Sequence, residues 1–171
     1  VLRDQHHEVR GLFFNPNIHP YLEDCRRRDT LKAYAEQENL PVIWKDSYEL
    51  DDFLRSVAFR EGDRCRFCYY KRLSYAAHVA RKGNFDGFSS TLLYSRYQNH
   101  SLICSIGESL AKEQGLAFFY HDFREGWETG IRISKAQGMY RQQYCGCIYS
   151  ERDRYYRKAP SRGIDPEPAD G

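Results

Sequence analysis

Short apolar runs alternate along this chain with stretches of helical periodicity, and that alternation restricts the fold more than any other feature. Val9–Phe14 and Leu116–Tyr120 read as buried strands, as do Pro41–Trp44 and a segment within Phe85–Leu93. Between them lie helical patterns. Thr30–Leu40 places Leu31, Tyr34 and Ala35 on one face and stops at Pro41. Asp51–Phe59 turns Phe53, Leu54, Val57 and Ala58 inward. Arg66–Lys82 aligns Leu73, Ala76, Ala77 and Ala80 before Gly83. A long helix carries Leu102, Ile103, Ile106 and Leu110 up to Gly115, and a final helix covers Glu128–Gln137 before Gly138. Strands separated by helices of this length imply βαβ units and a mostly parallel sheet flanked by helices, a single-domain three-layer α/β fold of Rossmann-like type.

We expect one domain over residues 1–158 and a disordered tail over 159–171, where three prolines accompany little apolar content. The opening Leu2–Glu8 reads as the end of a helix already under way. A parallel sheet is normally covered on both faces and its central strand is the most buried. An earlier strand is therefore expected upstream of Val9, missing from the chain as given. Apolar runs are too short to span a bilayer and no secretory signal is visible, so the expectation is a cytoplasmic protein without a membrane partner. Charges nearly cancel, 26 Lys and Arg against 24 Asp and Glu, which excludes a strongly basic tail protein.

Six cysteines are many for a reducing compartment, and four form two tight pairs, Cys65-Arg66-Phe67-Cys68 and Cys145-Gly146-Cys147. Cys65 and Cys68 fall where a helix begins, and free N–H groups there favour negative sulfur. Gly146 lets the backbone bend between the second pair. Four thiolates suit zinc or an iron–sulfur cluster equally by ligand type, and a redox dithiol at Cys65 and Cys68 is a third reading. Cys104 and Cys25 read as structural.

A second group sits at strand ends, where ligands bind in open α/β sheets. It comprises Asn15-Pro16-Asn17-Ile18-His19-Pro20, Thr91 to Ser95, and Asp122-Phe123-Arg124. Together these loops would form one polar rim. Tyr69-Tyr70-Lys71-Arg72, Tyr140-Arg141-Gln142-Gln143-Tyr144 and Arg152 to Lys158 interleave aromatic and basic residues, as either a nucleic-acid surface or a solvated face. No GxGxxG, GxxxxGK[ST] or GxSxG motif occurs, which argues against nicotinamide, P-loop and serine-hydrolase chemistry.

The strings Phe14–Pro20, Arg64–Tyr69, Ser90–Ser95, Asp122–Arg124 and Tyr140–Cys147, taken in order, resemble the cobalamin-independent, iron–sulfur epoxyqueuosine reductases. The resemblance implies an adenine-nucleotide-hydrolase-like fold and the reduction of epoxyqueuosine to queuosine at the tRNA wobble position, the last step of queuosine biosynthesis. It further implies a 4Fe–4S cluster beside a mononuclear metal ion, read as iron. The partners would be tRNA carrying epoxyqueuosine and an unidentified electron donor. The family's N-terminal Cys-Cys-x-x-Cys-like motif has no counterpart here, in keeping with the missing strand. On this reading Cys65, Cys68, Cys145 and Cys147 hold metal, and Asp122, His19 and Tyr144 are candidate proton donors. Asn15, Asn17, Thr91, Ser95, Arg124 and Arg141 contact substrate. The alternative is a zinc-stabilised RNA-binding module without redox activity.

Overall fold

The computed structural model describes residues 1–156; the expected tail, 159–171, lies outside the described residues. Two short parallel ladders carry the strands. β1 (Gly11–Phe13) pairs with β2 (Val42–Trp44), Leu12 opposite Ile43. β3 (Gly87–Phe88) pairs with β4 (Ala117–Phe118), Phe88 opposite Phe118. The parallel sheet expected from the sequence is thus realised as two two-stranded units. Each pair is connected through helix, which a parallel ladder requires because no tight hairpin can reverse twice. The result is the mixed α/β architecture that the alternating pattern predicts.

α1 (Tyr21–Gln37) starts nine residues before the Thr30 boundary read from periodicity. Its first turns carry no apolar stripe. Arg27 pairs with Glu23 at 2.8 Å and Arg28 with Asp24 at 3.2 Å, each one turn apart, with both carboxylates buried. α2 (Leu50–Val57) buries Phe53 and Val57, whereas Leu54 and Ala58, expected inward, are exposed. α3 (Arg64–Lys82) and α4 (His100–Gln114) pack together and make the main core. Tyr69, Leu73, Ala77 and Ala80 of α3 meet Ile103, Leu110 and Ala111 of α4, with Phe88 and Leu93. Leu73, Leu93 and Ile103 are fully buried, each contributing about 2 kcal/mol. A Cβ on Gly107 would stand 2.6 Å from the Phe118 ring, so the glycine lets α4 lie directly on β4.

α5 (Trp127–Ala136) closes the expected series, but α6 (Ile148–Tyr155) follows it and was not foreseen. Residues 3–5 form a 3-10 turn ended by His6 in the left-handed region. A second apolar cluster gathers Phe53 and Val57 of α2 around Cys147, flanked by Phe67 and Tyr149. That cluster seats the second cysteine pair against the helix bearing the first. Among the described residues no helix is long and apolar enough to cross a membrane.

Candidate active site at the two cysteine pairs

α3 opens directly onto Cys65 and Cys68. A two-residue spacer puts them nearly one turn apart, Cys65 exposed and Cys68 half-buried. Partial burial pushes the Cys65 thiol up, Arg64 opposing it. The thiol is raised further by Cys145 and Cys68, so the two pairs are electrostatic neighbours.

The second pair occupies a turn made by Gly146 at φ +130°. The sulfurs of Cys145 and Cys147 lie 3.9 Å apart, and Ser150 Oγ is 3.0 Å from Cys145. Hydrogen bonding from Cys147, reinforced by Ser150, draws the Cys145 thiol down to about 5, while the same pairing and burial push Cys147 up. Cys147 also caps α6, its sulfur accepting from Ser150 N at 3.4 Å. No two of the six cysteines, all among the described residues, are joined in a disulfide.

The loop 15–20 after β1 ties the pairs together. Arg72 of α3 donates to Asn17 Oδ1 through Nε at 3.2 Å and Nη2 at 2.7 Å, and through Nη1 to Asn15 Oδ1. Asn17 Nδ2 then donates to Cys68 Sγ at 3.2 Å. Two residues on, the His19 N–H donates to Gly146 C=O at 2.8 Å, and Tyr144 Oη donates to His19 C=O. Arg27 fixes the far side, donating to Cys145 C=O at 3.0 Å and Tyr144 C=O at 2.9 Å. A Cβ on Gly146 would sit 2.9 Å from Ile18 Cγ1. Only glycine lets turn and loop approach this closely.

The remaining site residues divide. The 3-10 turns Thr91–Tyr94 and Phe123–Gly126 pack on each other, whereas the loop after β1 turns to α3 and the 144–147 segment. Tyr69 connects the groups: its Oη donates to Gln98 at 2.7 Å and accepts from Asn99 N at 3.2 Å. Its burial weakens its acidity, raising its pKa to about 12. Thr91 and Arg141 are exposed, and Ser95 Oγ accepts from Tyr97 N. Asp122 chelates Arg124 at 2.7 and 2.5 Å, which holds its carboxyl far below the usual range. Burial lowers His19 to about 4 and raises Tyr144 to about 12.

Arg27 and Ser150 were not singled out from the sequence as site residues, and Tyr69 and Arg72 stood out only in an aromatic and basic run, not as partners of the cysteines. The latter two were legible by spacing, since Cys65–Tyr69 and Cys68–Arg72 are one helical turn apart. Among the described residues no three His, Cys, Asp or Glu side chains converge closely enough to grip an ion as they stand. The donor set is nevertheless all sulfur and gathered around one loop, with a glycine where a side chain would intrude. That chemistry fits a soft, thiolate-held centre rather than a hard-oxygen site.

The chain matches the family model described as epoxyqueuosine reductase QueH over residues 1–153. A Dehalococcoides mccartyi protein of that name is 36% identical over 154 residues, covering 90% of this chain and 84% of its own. A Thermotoga maritima protein of the same name is 35% identical over 161 residues, covering 89% and 84%. One from Acinetobacter baylyi is 35% identical over 149 residues, covering 82% and 68%.

Proposed function

Because the chain belongs to the epoxyqueuosine reductase QueH family and is therefore an oxidoreductase of queuosine biosynthesis, we propose that it reduces epoxyqueuosine to queuosine at the wobble position of tRNA on the face where the two cysteine pairs meet. The observation that carries this reading is the 15–20 loop, which donates to Cys68 from Asn17 and to the 145–147 turn from His19. A site for inorganic redox chemistry needs its sulfurs held by a scaffold that does not itself react, and this loop supplies one.

The reaction takes two electrons and two protons: both carbon–oxygen bonds of the epoxide break, a carbon–carbon double bond forms, and the oxygen leaves as water. Cys65, Cys68, Cys145 and Cys147 would hold the 4Fe–4S cluster, with a mononuclear iron ion beside it. When bound, such centres supply electrons singly and a Lewis acid for the departing oxygen. The electrons come from a separate low-potential donor.

The protein's own groups handle protons and RNA. Asp122 is held ionised by Arg124 and has no proton to give at neutral pH, and burial keeps His19 neutral. Tyr144 keeps its O–H through neutral pH beside the 145–147 turn, and it is the group we assign to protonate the leaving oxygen. Of the expected substrate contacts, exposed Arg141 and Thr91 face solvent and suit phosphate and ribose oxygens. Asn17 is buried and serves the cysteine face instead.

The test is conversion. Protein reconstituted anaerobically with iron and sulfide is given dithionite and tRNA bearing epoxyqueuosine, and the digested nucleosides are read by mass spectrometry. Loss of one oxygen from the modified nucleoside is expected. A colourless zinc protein that binds the tRNA and leaves the epoxide intact would overturn the proposal in favour of an RNA-binding module.

A further inference from the structure

We propose that Arg72 is a positioning residue that fixes the side-chain amide of Asn17 with its N–H toward the Cys68 sulfur. The two ends of an asparagine amide are nearly identical in shape and opposite in hydrogen-bonding sense. Left alone, an asparagine beside a sulfur could present either end. Arg72 removes the choice because a guanidinium carries five donors and no acceptor. Its Nε and Nη2 both reach Asn17 Oδ1, at 3.2 and 2.7 Å, so oxygen must occupy that end. The NH2 group is thereby left 3.2 Å from Cys68 Sγ. This assignment follows from the donor-only chemistry of arginine, not from how an amide is drawn.

Two further contacts, together with the burial of Asn17 and the spacing on α3, make the clamp rigid. Arg72 Nη1 reaches Asn15 Oδ1 and, at 3.4 Å, the Phe14 carbonyl, so the fork cannot pivot about Asn17 alone. Asn17 is 4% exposed, which denies its amide the water that would compensate a flip. Arg72 also stands four residues after Cys68 on α3, so one helical face supplies both the sulfur and the clamp while the loop threads between them. The basic run Tyr69–Arg72, a nucleic-acid candidate from composition, therefore spends its last arginine inward.

The consequence rests on the reading of Cys68 as a ligand of a redox centre. A hydrogen bond to an ionised sulfur draws negative charge off it, and hydrogen bonds to sulfur ligands help set cluster potentials. The Arg72–Asn17 pair thus makes the centre easier to reduce than the same ligands without the amide.

Two measurements separate the clamp from the cofactor. In reduced, metal-free protein, nuclear Overhauser spectra are expected to show contact between the Asn17 Nδ2 protons and the Cys68 Cβ protons. Arg72→Lys keeps the charge and removes the fork, so that contact should weaken by at least half while the backbone amide spectrum stays folded. Absence of the contact in wild type, or its full retention in Arg72→Lys, overturns the clamp. In reconstituted protein, Asn17→Asp keeps the Arg72 partner and replaces the donor by an oxygen, so the midpoint potential should become more negative at unchanged iron content. An unmoved potential overturns the electronic role. Wild-type protein that takes up no iron counts against the proposed centre alone, and the clamp is then decided by the metal-free spectra.

Discussion

Mild acid should destabilise this protein through one buried histidine. The His19 side chain is 2% exposed, its ring 5.2 Å from that of Phe53 and 5.7 Å from that of Tyr48. Nδ1 lies 3.3 Å from Tyr48 Oη, and Nε2 meets no partner among the described residues. Burial without a counter-charge disfavours the imidazolium and takes the group from 6.5 to about 4. The folded state therefore stays neutral at pH values where the unfolded chain already binds a proton. Stability from this group is complete above about pH 6.5 and drains away as pH falls toward 4. At about pH 4.5 the difference in proton binding comes to roughly 2.5 kcal/mol, a large share of the stability of a domain this size. The assay is urea unfolding followed by tryptophan fluorescence, on reduced metal-free protein, from neutral pH down to about 4.5. His19→Gln should be the less stable protein at neutral pH because it loses packing. Its pH dependence should be shallower, so the gap to wild type closes by roughly 2.5 kcal/mol across the window. Carboxylates titrate in both proteins and cancel from the comparison. Parallel stability curves for the two proteins would refute the reasoning.

Other outcomes follow from packing and ligation. Leu73→Ala leaves a hole between α3 and α4 at a side chain 1% exposed, and should cost about 3 kcal/mol, lowering the thermal midpoint by roughly 10 °C. Gly146→Ala forces a Cβ against Ile18 at φ +130°, and urea titration should show a loss of about 1–3 kcal/mol. Cys145→Ala should abolish the visible thiolate-to-iron absorption of reconstituted protein while Cys25→Ala leaves it intact, as read by spectrum and iron content.

What the sequence disclosed depended on whether a feature is carried by one segment or by two. Helix ends at Gly83 and Gly115 were legible because a glycine after an apolar stripe is a local signal. The first turns of α1 were not, since their inward groups are Glu23 and Asp24, carboxylates that a search for apolar periodicity passes over. α6 escaped because it buries no residue completely and its cap is Cys147, a side chain read for metal binding rather than for helix initiation. Leu54 and Ala58 share the helical face of Phe53 but find no partner element there, so spacing overstated the buried stripe of α2. The cysteine pairs stood out by spacing alone. The loop that gathers them did so only as a motif, because the bonds it makes to the cysteine segments reach far along the chain, from Asn17 to Cys68, 51 positions away, and from His19 to Gly146, 127 positions away.

The arginines show why composition left the surface undecided. Arg27 lies within Arg26-Arg27-Arg28 and Arg72 follows Lys71, while Arg141 stands alone between Tyr140 and Gln142; the first two turn inward and the third faces solvent. Arg27 is satisfied by the Glu23 carboxylate and the backbone carbonyls of Tyr144 and Cys145, and Arg72 by the side chains of Asn15 and Asn17 with the Phe14 carbonyl. A guanidinium fork ties chain segments together through several directed bonds at once, and at the cysteine face it does so beside the apolar cluster around Cys147. Directional hydrogen bonds there add to the packing around Cys147, so the same residue type that suggests nucleic acid at the surface serves as mortar behind the sulfurs.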